Sequence, residues 1–560
     1  MVSKPTMPMH KTIALALLIS AVSATLFVSP GHAQPRMHPQ LEQAQELIED
    51  ERYYDAFGKL ATLIPALPPT DPNRIAAQYG LARVLLELEL HQSALRALDA
   101  IQVPVGHKLY TAKMRFYLQI QRAMPGDLAT IERLSESPET GHRPKDLDEI
   151  RFLLGRYHYQ AGEHKKALQR LSRIKISGKI NYLRSRYLMG VIYVILNRAQ
   201  PAVSAFKDIL RYEKQVGTPD YYRKYAQMAH MALGRLFFSI GKYGTAGRYY
   251  DQITEGTEAW LDSLFELGWT YFHLMRLDRV MGQLHTLNSP YFEDRYYPEA
   301  RVLEALILFR TCRFNETLVV VQRFLRDYKP LRKELDSQLS GSRSDAEFYW
   351  YLSSLAADKE GLSVQLRRIF NVALTDRELQ RMFGLVAKLG VEGRKLQKLK
   401  RNTSAQRAAQ ALIDDLGRVR NVMISEAGAM ARKRLARVRE ELTEIIRQGL
   451  RIKYESLKAR RNSINGAVRV AMAKTAMAAM EPRASDSEHI VWPFDGGYWR
   501  DELGGYTYDI KSKCLKKHFP RGFNPAAIPT RAKSKIGQKS TSSSGLTVSG
   551  NKIAKPKSGA

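Results

Sequence analysis

The chain has 560 residues, with 87 Lys and Arg against 56 Asp and Glu, giving a formal net charge of +31. Its length allows several domains and an ample core, and its 36 glycines and 24 prolines exclude a chain disordered throughout. Two cysteines, Cys312 and Cys514, exclude a disulfide-rich scaffold, while the charge calls for a polyanionic partner or surface such as anionic lipid, lipopolysaccharide phosphate or acidic polysaccharide.

The first element is an export signal. Lys4, His10 and Lys11 precede an apolar run from Thr12 to Val28, which Ser29, Pro30 and Gly31 interrupt. Small residues at Gly31 and Ala33 flank a cut before Gln34. A basic start, a short apolar centre and a small-residue exit describe a secretory signal peptide over residues 1–33. The run is shorter than the roughly 20 residues of a membrane span. Cleavage and retention as an N-terminal anchor both stay open. The expectation is an exported protein, periplasmic or on the periplasmic side of an outer membrane, which argues against nucleic acid as a partner.

Residues 38–330 carry a repeat. Its four clearest copies are Gly155, His158, Ala167, Leu171, Ile174; Gly190, Tyr193, Ala202, Phe206, Ile209; Gly234, Phe237, Ala246, Tyr250, Ile253; and Gly268, Tyr271, Val280, Leu284, Leu287. Each keeps steps of 3, 9, 4 and 3 residues, and the glycines are 35, 44 and 34 apart. Weaker copies start at Ala44, Ala82 and Ala305, and Tyr110–Leu134 is helical in pattern without the full set. The reading is about eight antiparallel helix pairs. A glycine inside an isolated helix costs about 1 kcal/mol against alanine, so these four imply a helix packed too closely for a side chain. Ala167, Ala202 and Ala246 are expected to fill the matching place on the second helix. The pattern resembles the tetratricopeptide repeat, whose period is about 34 residues. That resemblance implies a binding surface formed by stacked pairs. His158 departs from the family's usual tyrosine and reads as a packed ring. Helical phase places Arg151, Tyr157, Arg184, Arg186, Tyr187 and Arg235 on the partner-facing helices. Cys312, among Leu308, Phe309 and Phe314, reads as a buried core thiol and Cys514 as exposed; whether they pair stays open.

A polar break, residues 331–344, links the array to a second helical region, 345–480. There Met382, Leu385, Leu389, Leu396 and Leu399 fall on three- and four-residue steps, with Glu392 in one expected apolar place. Leu412, Leu416, Val419, Met423 and then Leu435, Val438, Leu442, Ile445, Gly449 and Ile452 continue the pattern. Such a seam is the mark of coiled-coil packing. An antiparallel hairpin turning at Asn402–Ser404, a homodimeric coiled coil, and a seam packed on the repeats all satisfy it.

Residues 485–514 form an aromatic-rich motif around Trp492-Pro493-Phe494-Asp495-Gly496. The alternation of Tyr506, Tyr508 and Ile510 predicts a short strand, as in a β-hairpin docked on helices. Trp492, Tyr498, Trp499 and Arg500 read either as a recognition patch or as a buried structural clasp. From Lys511 to Ala560 there are twelve Lys or Arg and no acidic residue. Residues 520–560 read as a disordered basic tail, which either binds a polyanion or is a solvated extension.

Chemistry is sparse. No phosphate-binding glycine loop, zinc spacing or serine elbow occurs, and His273 and His285 fall on different helices. Asp495, Asp501 and Glu502 beside aromatics leave carbohydrate cleavage as a remote alternative. No catalytic residue, cofactor or metal is expected.

Ser289-Pro290-Tyr291-Phe292, Tyr296-Tyr297-Pro298-Glu299-Ala300, the helical coil, and Trp492–Gly496 with Tyr498–Gly504 together resemble exported tetratricopeptide proteins of myxobacteria and their relatives. The resemblance covers most of residues 38–514. Some tetratricopeptide proteins of that group belong to envelope-spanning gliding-motility machinery. It implies an all-α, non-enzymatic scaffold for protein partners in the cell envelope. The alternatives are a polyanion-binding adaptor and a carbohydrate-active enzyme. A homodimer through the coiled-coil region is compatible with the first.

Overall fold

The computed structural model describes residues 37–104, 108–125, 128–135, 142–292, 295–357, 366, 369–370, 376–471, 498, 500, 503–508 and 510–514. The signal segment, Trp492, Trp499, the three carboxylates Asp495, Asp501 and Glu502, and the 520–560 tail lie outside the described residues. The chain is all-α, with no strand among the described residues.

Eight helix pairs come first in the chain. They are α1 Pro39–Glu49 with α2 Tyr53–Ala66, α3 Pro72–Glu87 with α4 His91–Asp99, and α5 Lys108–Ala123 with α6 Leu128–Ser135. Next are α7 Pro144–Gln160 with α8 His164–Ser172, α9 Ile180–Ile195 with α10 Ala199–Val216, and α11 Asp220–Ser239 with α12 Tyr243–Tyr250. The last two are α13 Trp260–His273 with α14 Leu277–Leu287, and α15 Pro298–Arg310 with α16 Phe314–Leu339. Then follow α17 Asp345–Ala357, α18 Arg377–Asn402 and α19 Gln406–Ala471. Helix α16 runs through the first part of the expected 331–344 linker and leaves Ser340–Ser344 non-helical. The sequence break is polar but holds no glycine or proline before Gly341 that would stop a helix.

The repeat spacing has one local cause. In seven pairs the residue seven places after the small residue adopts positive φ: Glu51, Glu89, Gly162, Asn197, Gly241, Met275 and Cys312. The next N–H donates back to a carbonyl five residues earlier. These bonds run from Arg52 to Leu47, Leu90 to Leu85, Glu163 to His158, Arg198 to Tyr193, Lys242 to Phe237, Arg276 to Tyr271 and Arg313 to Leu308, all at 2.7–2.9 Å. This is the Schellman closure of a helix C-terminus. Its acceptor is always the second residue of the repeat, three places after the small one. The weak copies at Ala44, Ala82 and Ala305 share it, so they are structural repeats despite lacking glycine.

The chain forms two compact units, each assembled from two separated stretches. The first comprises Met1–Tyr157 and Lys333–Glu440, the second His158–Arg332 and Glu441–Ala560.

In the first unit the apolar seam of α18 and the start of α19 is packed on the repeats. Leu385, Leu389, Leu396, Leu399, Ala409 and Leu416 share one core with Phe57, Leu60, Leu85 and Leu98. The packing reading of the seam therefore holds for these residues, and their apolar face is already covered within the unit. Glu392 explains why the seam tolerates a carboxylate. It is buried and accepts from Gln92 N (3.0 Å), Ser93 N (2.9 Å) and Ser93 Oγ (2.9 Å), capping the start of α4. Ion pairs Arg96–Asp415 and Lys395–Glu89 add to the attachment.

In the second unit the repeat glycines meet rings. A Cβ on Gly190 would lie 2.5 Å from the Phe206 ring, and one on Gly234 2.5 Å from the Tyr250 ring. At Gly268, whose counterpart is Leu284, the nearest atoms are 3.8 Å away. The side chain opposing the glycine is thus the aromatic residue of the second helix, where the alanine had been expected. Ala202 and Ala246 are fully buried beside it.

Candidate functional site

The second unit contains an extended strap, Leu503–Tyr508 and Ile510–Cys514, laid along helices α13 to α16. The expected strand does not form. No partner strand exists among the described residues, and the strap's backbone bonds to helices instead. Gly504 N donates to Thr286 Oγ1 (2.9 Å) and its carbonyl accepts from Gln283 Nε2 (3.1 Å). Tyr508 N donates to Asp278 O (3.1 Å) and Lys513 N to Thr311 O (2.8 Å). The Lys511 carbonyl accepts from Arg313 Nε (3.1 Å). Gly282 makes the close approach possible, because a Cβ there would collide with the Tyr506 carbonyl. Gly504 has φ +86° and lies on the Trp260 ring.

Side chains fasten the strap as well. Leu503 is buried among Trp260 and Leu264 and their neighbours. The His285 ring stacks on Tyr498 (4.5 Å) and meets Tyr506 edge-on (4.8 Å). Burial lowers the pKa of His285, favouring its neutral form. At the far end Cys312 and Cys514 form a disulfide, with Cα atoms 5.0 Å apart. Cys312 is not the buried core thiol that its apolar neighbours implied. It occupies the positive-φ turn between α15 and α16 and is only partly buried, since the turn directs its side chain off the helix face.

Beneath the strap lies a cavity of about 340 Å³. Trp260, Tyr271, Arg279 and Gln283 line it from the helices, and Leu503 to Thr507 form its other wall. Arg279 donates to Tyr271 Oη (3.3 Å) and sits over that ring. Burial raises the carboxyl pKa of Asp251 at the rim, against the opposing pull of Arg279. The lining offers aromatic faces, one cation, an amide side chain and the carboxyl groups of Asp251 and Glu255. Among the described residues no group of three His, Cys, Asp or Glu is placed to hold a metal.

The residues expected to face partners are mostly occupied by the fold. Arg235 is clamped to Glu266 at 2.6–3.0 Å, and Tyr250 Oη donates to the same carboxylate (3.0 Å). Burial opposes the charge on Arg235, but Glu266 more than offsets it and raises the pKa; burial and Glu266 together push Tyr250 well up. This is an inter-repeat lock. Its signal was present in the sequence as a glutamate, Glu266, within an otherwise apolar run. Arg151 pairs with Asp148 (3.4 Å) and Tyr157 donates to Glu132 (3.1 Å). Arg184 donates to Tyr225 Oη (3.1 Å), Arg186 lies over Tyr182 (4.8 Å), and Tyr187 packs on Phe206 (5.7 Å). His158 bonds Glu163 through its ring (2.7 Å). Tyr498 belongs to the strap region, and Arg500 is exposed. Sequence reasoning missed Gly282 and gave His285 no role, because both act on a segment more than 200 residues away.

No protein-family model matches the chain, and no curated protein matches it. Among solved structures it is similar to a tetratricopeptide repeat protein from Parabacteroides merdae, at 14% identity, covering 51% of this chain and 90% of that one, with a TM-score of 0.23. It is also similar to yeast Tom70 (10% identity, 68% and 95% covered, TM-score 0.20) and to the APC/C hetero-tetramer Cut9–Hcn1 (12%, 73% and 93%, TM-score 0.19). At these scores the helical-repeat assignment rests on the chain's own spacing and turns.

Proposed function

We propose that this chain is an exported, non-enzymatic scaffold that holds protein partners through its helical repeats. One observation carries the reading. Leu196, Ile240 and Leu274 are all exposed, and each stands six residues after its repeat glycine. Scattered exposed apolar residues need no explanation, but a row at one register on successive turns describes a contact edge. Such an edge fits an apolar protein surface in the cell envelope.

Two observations support export. The first 33 residues have the composition of a signal peptide. The Cys312–Cys514 bond is of a kind that persists in oxidising compartments.

The test is capture of partners by the full chain from crosslinked envelopes, washed at low and high salt. Proteins retained at high salt, and lost when Leu196, Ile240 and Leu274 are all changed to Ser, are expected. Capture that washes away with salt, or that the triple variant leaves unchanged, would overturn the reading, because apolar contacts resist screening.

A further inference from the structure

Within the second unit, α19 has one face that the core absorbs and one that it does not. Leu442, Ile445, Ile446, Gly449, Ile452 and Ser456 are buried. Gly449 lies under Phe324, whose ring would be 2.9 Å from an added Cβ. On another side Leu450, Tyr454 and Leu457 are 41%, 64% and 47% exposed. Their spacing of four and three residues aligns them in one stripe. Arg447, Arg451, Lys458 and Arg461 fall in the same sector and are exposed. Arg447 pairs with Glu444 one turn earlier, so the stripe mixes three apolar side chains with one paired arginine and the cations of Arg451, Lys458 and Arg461.

We propose that this stripe is a docking surface for an anionic phospholipid bilayer. The stripe's chemistry decides among occupants. From Leu450 to Leu457 the helix advances only about 10 Å, far less than an interface burying about 800 Å² on each partner requires. A second copy docked by the same stripe would set cations against cations. A bilayer interface accepts the whole set. Tyrosine settles at the headgroup level, leucines enter the acyl boundary, and the Arg and Lys stems lie along the apolar surface while their charges reach phosphate. The opposite face is anchored in the unit, so the helix presents a fixed stripe parallel to the membrane plane. Among the described residues no helix is long and apolar enough to cross a membrane, and docking requires none. The proposal rests on other residues than the scaffold edge and stands or falls separately from it.

The test is flotation of the full, oxidised chain with phosphatidylcholine vesicles, with and without phosphatidylglycerol, at low and high salt. Binding to the anionic vesicles alone, weakened by salt, is expected. Each cation near an anionic surface gives about a five-fold gain in partitioning, so Lys458→Ala with Arg461→Ala should lower it about 30-fold. Tyr454→Ala with Leu457→Ala should lower vesicle binding while leaving retention on heparin unchanged. Tyr454→Trp should gain fluorescence that brominated lipid quenches. These positions are exposed, so unchanged thermal melts verify folding. Three results would overturn the proposal. They are equal binding to neutral vesicles, wild-type binding by the charge variant (which would assign binding to the basic C-terminal residues), and an apolar variant that binds vesicles normally, which would reduce the stripe to a polyanion site.

Discussion

The two units cover their helical repeats by different means. In the first, a long helical hairpin buries a continuous apolar seam and adds one buried carboxylate that caps a repeat helix. In the second, an extended strap with Gly504 and Gly282 at its closest approaches lies along the repeats, and a disulfide ties its end. A helix satisfies its own backbone, so it can dock by side chains alone. An extended segment must find backbone partners, and here the repeat helices supply them through Gln283, Thr286, Asp278, Thr311 and Arg313. The hairpin therefore announces itself as a period, and the strap does not.

Breaking the inter-repeat lock should produce the largest effect. Arg235→Ala strands Glu266 and Tyr250 in a buried site, and losing one partner of a buried pair costs about 3–5 kcal/mol. Urea unfolding followed by amide exchange should show the loss in the second unit. An unchanged urea midpoint would show that the lock contributes little to stability.

Next is the disulfide. Cys514→Ser should destabilise the second unit by about 2–5 kcal/mol and raise amide exchange in the strap and along α13 and α14. Gly282→Ala separates the strap's seat from its tether. With the disulfide intact, exchange should rise at Tyr506 and Tyr508 but not at Cys514. Unchanged exchange at Tyr506 would show that the backbone approach at Gly282 is unimportant.

In the first unit, Glu392→Ala removes three hydrogen bonds at the start of α4 and should cost about 2 kcal/mol. Burial raises the Glu392 pKa above its ordinary value, against the bonds from Gln92 and Ser93. The folded state thus holds this proton more tightly than the unfolded state. Its contribution to stability should fall as pH rises from the ordinary glutamate value through the raised folded one. Glu392→Gln should remove that slope, and a titration of stability that keeps it would assign the slope elsewhere.

The smallest effect belongs to the shared turn. Met275→Gly relieves positive φ at an exposed position and should stabilise by about 0.5–1 kcal/mol. A melting temperature that falls would show that Met275 contributes through its side chain.

Much of the fold was legible because it is periodic. The 3, 9, 4, 3 spacing located the helix pairs, including those without glycine, and the seam from Leu385 to Leu399 located the hairpin. Even Glu392 was visible as an interruption, though its partners in α4 were not. The candidate site was poorly legible. Helical phase brought forward Arg151, Arg184 and Arg235, but phase gives only the face of a helix. It does not say whether that face meets solvent or the next repeat, and Arg235 faces Glu266 in the next repeat.

The sequence by itself determined the helices, their turns and the register of their apolar positions, because each depends on residues within a few turns of one another. Tertiary structure alone decided that aromatic rings oppose Gly190 and Gly234, that Cys312 meets Cys514, and that the alternating tyrosines lie on helices without forming a strand. Those outcomes reach to residues more than 200 positions apart. At that separation only the packed fold fixes which side chains and backbone groups share a surface.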